Sequence, residues 1–207
     1  MTPLRIGVLD YGSGNLHSVC QALEAVGARV GLTADAEALA GCDGLVVPGV
    51  GAFEACMAGL RAVSGDALIR GWVGRHRPLL GICVGHQILF ERGVEHGVDV
   101  PGLGLLAGTV TQLTAARLPH MGWNLVEPAP GTRMFAGLDG QRFYFVHSYA
   151  VHEPLDGAAW AQHGDDRFVA AVESGATWST QFHPEKSGQA GARLLVNWLG
   201  LVEQERA

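Results

Sequence analysis

Leu79-Leu-Gly-Ile-Cys83-Val-Gly-His-Gln87 is the stretch on which the fold of this chain turns. A short apolar run ends in Gly-x-Cys-x-Gly, and a helix-like segment follows. That order of strand, sharp turn and helix is the setting of a nucleophile elbow. Gly81 and Gly85 suit it because such a turn brings neighbouring backbone too close for a Cβ atom. A sulfur at the start of a helix is favoured as thiolate over thiol. The amide N–H of Val84, the next residue, would point at an oxyanion forming beside the sulfur.

Working outward, the same alternation recurs. Apolar runs at 5–10, 43–48 and 78–82 read as strands, and residues 16–26, 53–63, 66–74 and 86–91 read as helices. Strand and helix in alternation imply right-handed βαβ crossovers and a mostly parallel sheet covered on both faces. After Gly93 the texture changes. Segments 105–113, 123–127, 142–151, 158–163 and 168–173 are short, rich in Val, Thr and aromatics, and punctuated by Gly, Pro or Asp, as in hairpins. An apolar-striped helix over 190–202 closes the chain. One domain over residues 1–207 is expected, with a parallel half and a more antiparallel half.

Composition narrows the function. The chain has 207 residues, 48% hydrophobic and 16% charged, which excludes disorder as its general state. No apolar run approaches the roughly 18 residues of a membrane helix, and no signal peptide is read at the start, so a cytoplasmic protein is expected. A net charge of −6 argues against binding nucleic acid by broad phosphate neutralisation. The four cysteines are read as reduced thiols, with Cys20, Cys42 and Cys56 in the core. None has metal-site spacing, so neither a metal nor another cofactor is expected. Of the 14 basic residues only Lys186 is lysine.

A thiol with an ordinary pKa of about 8.5 calls for a base at neutral pH. Among nine histidines, His183 stands out in Thr180-Gln-Phe-His183-Pro-Glu185-Lys186. Pro184 stiffens the link between His183 and a carboxylate two residues on, as suits an imidazole held in one tautomer. Cys83, His183 and Glu185 would then form a triad. A zinc deaminase also uses His-x-Glu but needs two later cysteines, and none follows residue 83. A second oxyanion donor is expected from Pro48-Gly-Val-Gly51, at the end of another strand. Gly12-Ser-Gly14 lacks the third glycine of a dinucleotide fingerprint.

Cys83 in Gly-x-Cys-x-Gly-x-Gln, Pro48-Gly-Val-Gly51 and Phe182-His-Pro-Glu185 together resemble the class I glutamine amidotransferases. Asp10-Tyr-Gly-Ser-Gly-Asn-Leu16, Leu118-Pro-His-Met-Gly-Trp-Asn124, Tyr144-Phe-Val-His-Ser-Tyr149 and Gln181-Phe-His-Pro-Glu-Lys-Ser187 resemble, within that family, the glutaminase subunits of imidazole glycerol phosphate synthases. Glutaminases of pyridoxal phosphate synthesis and γ-glutamyl hydrolases lack the Pro-His-Met-Gly-Trp-Asn segment. A catalytically idle docking subunit is a further alternative, opposed by the intact triad.

The resemblance implies an α/β, three-layer, flavodoxin-like fold with a smaller antiparallel or mixed sheet. It implies that Cys83 attacks the side-chain amide of glutamine, that His183 moves the proton to the leaving ammonia and that Glu185 orients His183. Backbone N–H groups of Val84 and of Val50 or Gly51 would line the oxyanion hole, a flip at Pro48–Gly51 switching it on. Gln87 and Glu95, with Glu91 as the residue easily confused with Glu95, would recognise glutamine together with His147, Ser148 and Tyr149. The implied partner is a (βα)₈-barrel cyclase subunit, which uses the ammonia in histidine biosynthesis. Asn15, His120, Met121, Trp123 and Lys186 would face it. His86, where relatives are expected to carry an apolar residue, is read as a packing residue or as a support behind the residues that meet the substrate.

Overall fold

A computed structural model describes residues 2–206. Its first half runs β1 (Arg5–Leu9), α1 (Leu16–Ala25), β2 (Arg29–Thr33), α2 (Ala36–Ala40), β3 (Gly44–Gly49), α3 (Phe53–Ala62), α4 (Gly65–Val73) and β4 (Leu79–Cys83). The apolar runs of β1, β3 and β4 are almost entirely buried, as strands covered on both faces must be. α1 buries Leu16, Val19 and Leu23, one helical stripe, and α3 buries Phe53, Cys56, Met57 and Leu60. β2 and α2 fall in a stretch without a sequence signal. β2 is an edge strand that is mostly exposed, and α2 is a five-residue helix capped by Asp35, whose carboxylate accepts the Glu37 N–H.

The expected helix over 86–91 is corrected by the structure. After β4 comes a single turn, α5 (Val84–Gln87), and the chain re-extends as β5 (Phe90–Glu95). Residues 84–90 are all buried. An apolar run of that length carries no periodicity that separates a buried helix from a buried strand. There follow β6 (Val98–Pro101), β7 (Leu106–Gln112), β8 (His120–Leu125), β9 (Arg142–His147) and β10 (Tyr149–Val151). The chain ends with β11 (Ala158–His163), β12 (Asp166–Ser174), β13 (Thr177–Thr180), a 3₁₀ turn (Pro184–Lys186) and α6 (Gly188–Arg206).

The main sheet has seven strands in the order β11-β12-β13-β4-β3-β1-β2. From β2 to β13 neighbouring strands pair in parallel, with β12 and β11 added antiparallel at one edge. The parallel core order is that of flavodoxin-like folds. A Cβ on Gly44 would touch Trp198 and Val202 of α6, while one on neighbouring Gly7 would touch Leu39 of α2. Helices therefore cover both faces. The second half of the chain does not stay apart: β13 returns to lie beside β4, with Ser179 in register with Gly81. A four-stranded sheet, β10-β7-β5-β6, and the ribbon β8-β9 flank this layer. Among the described residues, no helix is long and apolar enough to cross a membrane.

Candidate active site

In open α/β sheets, ligands bind beyond the carboxyl ends of the strands. Here the ends of β1, β3, β4 and β13 deliver Tyr11–Asn15, Pro48–Gly51, Cys83 and Gln181–His183 to one place. Cys83 sits at φ 57° and ψ −113°, a conformation that costs a non-glycine residue about 1–3 kcal/mol. The tightness of the turn explains its glycines. A Cβ on Gly85 would lie 1.8 Å from the Val47 carbonyl oxygen, and one on Gly81 would lie 2.8 Å from that of Gly85. The elbow is present, but α5 is a single turn of four residues, so its dipole is far smaller than that of the helix expected. Val84 opens the turn, and its N–H belongs to the first-turn donors that a helix leaves without internal partners.

His183 and Glu185 are joined by the 3₁₀ turn, with His183 Nδ1 2.7 Å from Glu185 Oε1. Both side chains are almost wholly buried. His183 Nε2 has no hydrogen bond of ordinary geometry and lies beside the Cys83 sulfur. Burial opposes a charged His183, but Cys83 and Glu185 outweigh it and lift its pKa to about 9. That value keeps the ring an imidazolium at neutral pH. The same Glu185 oxygen accepts from Asn15 Nδ2 at 2.7 Å. Asn15, expected at a partner surface, is half-buried, and its amide is bonded to Glu185.

The second oxyanion donor differs from expectation. The Val50 N–H, read as a cleft-facing donor, is turned away and donates to Ser13 Oγ at 2.9 Å. Cys56 Sγ donates to the Val50 carbonyl at 3.4 Å, and Tyr11 OH donates to that of Pro48 at 2.5 Å. Three side chains therefore clamp this loop, and Gly51 beside it adopts φ +94°. Cys56 is buried as expected, though its thiol serves the loop; Cys20 and Cys42 are only half-buried.

Cys83, Val50, Gly51, Val84 and His183 line a cleft of about 220 Å³. That is below the roughly 300–1,000 Å³ of drug-sized pockets and suits a small metabolite. The candidate glutamine-binding residues Gln87, Glu95, His147, Ser148 and Tyr149 all line it. Glu95 is separated cleanly from Glu91. Glu95 accepts the Phe53 N–H at 2.9 Å, with its pKa raised by burial, whereas Glu91 reaches the Gly108 N–H and does not line the cleft. Gln87 donates to the Tyr149 carbonyl at 2.8 Å and to Gln181 Oε1 at 2.9 Å. Its own carbonyl oxygen is left as the group free to accept.

Residues 7–200 match the family model described as glutamine amidotransferase class-I. The chain is 55% identical over 209 residues to imidazole glycerol phosphate synthase subunit HisH of Corynebacterium efficiens, covering 95% of this chain and 98% of that relative. Its identity to the protein of the same name in Mycobacterium leprae is 58% over 199 residues, covering 93% and 96%. The crystal structure of a glutamine amidotransferase has the same fold, with TM-score 0.76 and 24% identity over 96% of this chain and 98% of that one. The chain belongs to the class I glutamine amidotransferases, in the HisH family.

This amidotransferase presents a distinct apolar strip outside the cleft. On β8, Met121 is 63% and Trp123 52% exposed, with Leu125 on the same face. His120, expected there, alternates to the other face and is only 4% exposed. Its ring stacks between Phe145 and His163 and contacts His147 Nε2 at 3.1 Å. Lys186 is exposed at the cleft wall and makes no ion pair among the described residues. His86 is buried against Phe90 with Nδ1 2.8 Å from Ser179 Oγ. Ser13, Tyr11 and Gln181 were missed by sequence reasoning. For Gln181 a signal existed: in an extended segment it shares a face with His183 two residues on.

Proposed function

We propose that this enzyme hydrolyses L-glutamine to L-glutamate and ammonia through Cys83, His183 and Glu185. The ammonia passes to a (βα)₈-barrel cyclase subunit that makes imidazole glycerol phosphate and aminoimidazole carboxamide ribonucleotide in histidine biosynthesis. The observation that carries the reading is the buried His183–Glu185 pair beside a cysteine on a strained elbow. The names of the HisH relatives support the synthase and its second subunit. We take residues 1–207 as one amidotransferase domain acting in the cytoplasm.

In this mechanism the Cys83 thiolate attacks the amide carbon of glutamine, and the carbonyl electrons move onto oxygen. Val84 N–H meets that oxyanion; the Val50 N–H joins it once the Gly49–Val50 peptide turns off Ser13. The His183 imidazolium protonates the leaving nitrogen, the C–N bond breaks, and ammonia departs from a glutamyl thioester. Neutral His183 then takes a proton from water, whose oxygen attacks the thioester. The C–S bond breaks, returning thiolate, imidazolium and glutamate. Glu95 is the acceptor for the substrate α-ammonium, aided by the Gln87 carbonyl, while main-chain groups at Ser148 and Tyr149 hold the other end. Asn15 and Glu185 fix the tautomer of His183. Met121 and Trp123 dock the partner, and Lys186 reaches a partner carboxylate at the mouth.

The test is glutamate release by the purified chain, alone and with the barrel subunit and its nucleotide ligand, with Cys83→Ala in parallel. Strong release only with partner and ligand, abolished in Cys83→Ala, is the expected result. A complex that forms but never releases glutamate would leave a docking subunit instead.

A further inference from the structure

Gln181 is fully buried on the extended segment that leads from β13 to His183. Its side chain is not free to turn over. The Tyr149 carbonyl can only accept, so the end of Gln87 that faces it at 2.8 Å is the NH₂ group. That NH₂ group also contacts Gln181, which must therefore present its oxygen, at 2.9 Å. The Gln181 NH₂ group is left pointing at Cys83, with Nε2 3.9 Å from Sγ. No other acceptor for it is recorded among the described residues. The anchor is itself pinned, since His147 Nδ1 lies 3.0 Å from the same Tyr149 carbonyl and must donate to it.

We propose that Gln181 is a positioning residue for the nucleophile, donating an N–H to the Cys83 sulfur from an orientation imposed by Gln87 and the Tyr149 carbonyl. A donor aimed at sulfur favours the charged form over the neutral one. The segment Gln181-Phe-His183 then supplies two groups that act on Cys83, an imidazolium and an uncharged N–H. An uncharged donor adds stabilisation without competing with His183 for its proton. Its effect falls on the pH range over which the thiolate is present, more than on the rate once the thiolate has formed. Because Gln87 spans the glutamine cleft and this donor, substrate contact at the Gln87 carbonyl and the state of the sulfur share one hydrogen-bonded unit. The inference rests on Cys83 being the nucleophile.

The test is the pH profile of Cys83 alkylation by iodoacetamide, followed by peptide mass mapping so that Cys20, Cys42 and Cys56 do not contribute. Gln181→Glu retains the shape and an acceptor for Gln87 but removes the donor; Gln181→Met removes both. In both variants the profile is expected to move to higher pH, further for Glu, with alkylation at pH 7 slowed about 3- to 10-fold and converging with the parent at high pH. Thermal melting verifies folding, and Gln181→Met carries the reading if the buried carboxylate unfolds Gln181→Glu. Profiles that overlay the parent, or a slowing equal at every pH, would overturn the proposal. Glutamate release by the parent with its partner separates the two readings: without it the proposed function fails, whatever Gln181 does to the sulfur.

Discussion

Ser13 is one of three side chains that hold the Pro48–Gly51 loop in this conformation. Its hydroxyl accepts the Val50 N–H, the donor that the proposed mechanism assigns to the oxyanion, and one N–H cannot serve both purposes at once. Removing the hydroxyl leaves that N–H without its acceptor and lowers the cost of turning the peptide. Ser13→Ala is therefore expected to raise glutamate release without the partner several-fold and to shrink the further stimulation that the partner brings. Unchanged release without the partner would mean that Tyr11 and Cys56 alone hold the loop. Glu185→Gln tests the opposite side of the site. An amide in place of the acid keeps the shape but stops lifting the His183 pKa, and it can present the wrong group to Nδ1. The rate is expected to fall by 100-fold or more, by analogy with amide replacement of a triad acid. A pH profile of kcat/KM should show the His183 limb, near pH 9 in the parent, displaced to lower pH.

At the level of elements, what could be read in advance follows from how local each signal is. The elbow was legible because Gly81, Cys83 and Gly85 record a close approach of backbone to backbone, and His183-Pro-Glu185 because two residues and a proline bring base and acid together. β2 and α2 were not, being an exposed edge strand and a five-residue helix with little apolar pattern. The passage from α5 into β5 was misread because residues 84–90 are buried on all sides and have no face to reveal a period. His120 and Met121 adjoin in the same motif, yet only the alternation of a strand puts one inside and the other out. That alternation makes β8 testable as an element. Trp123→Ala removes a half-exposed aromatic while leaving the buried face of β8 intact. Little change in melting temperature is expected. Affinity for the barrel subunit, measured by calorimetric titration, should fall by about 30-fold or more if Trp123 is an anchor of the interface. Undiminished affinity would move the docking surface away from β8.

For the whole molecule, the buried histidines set opposing pH dependences. Burial lowers His86 and His147 to about 3 and His120 to about 4, against about 6.5 in an unfolded chain. Below pH 6.5 the unfolded chain takes up protons that the folded chain refuses. Stability is therefore lost as pH falls from 6.5 toward 4, by about 2 kcal/mol at pH 5 for each such histidine. His183 behaves in the opposite sense. With its folded pKa raised to about 9, its contribution is complete below pH 6.5 and is lost as pH rises through 9. Together these groups place the optimum of their combined contribution near pH 7, with loss on both sides. Melting curves at pH 5, 6.5 and 8.5 measure this, and a drop on the order of 10 °C from pH 6.5 to 5 is expected. His86→Leu assigns part of the acid flank to one residue: it leaves Ser179 without its partner and lowers stability at every pH, but its curve should fall less steeply below pH 6.5. Parallel curves for parent and variant would instead trace the acid sensitivity to other groups.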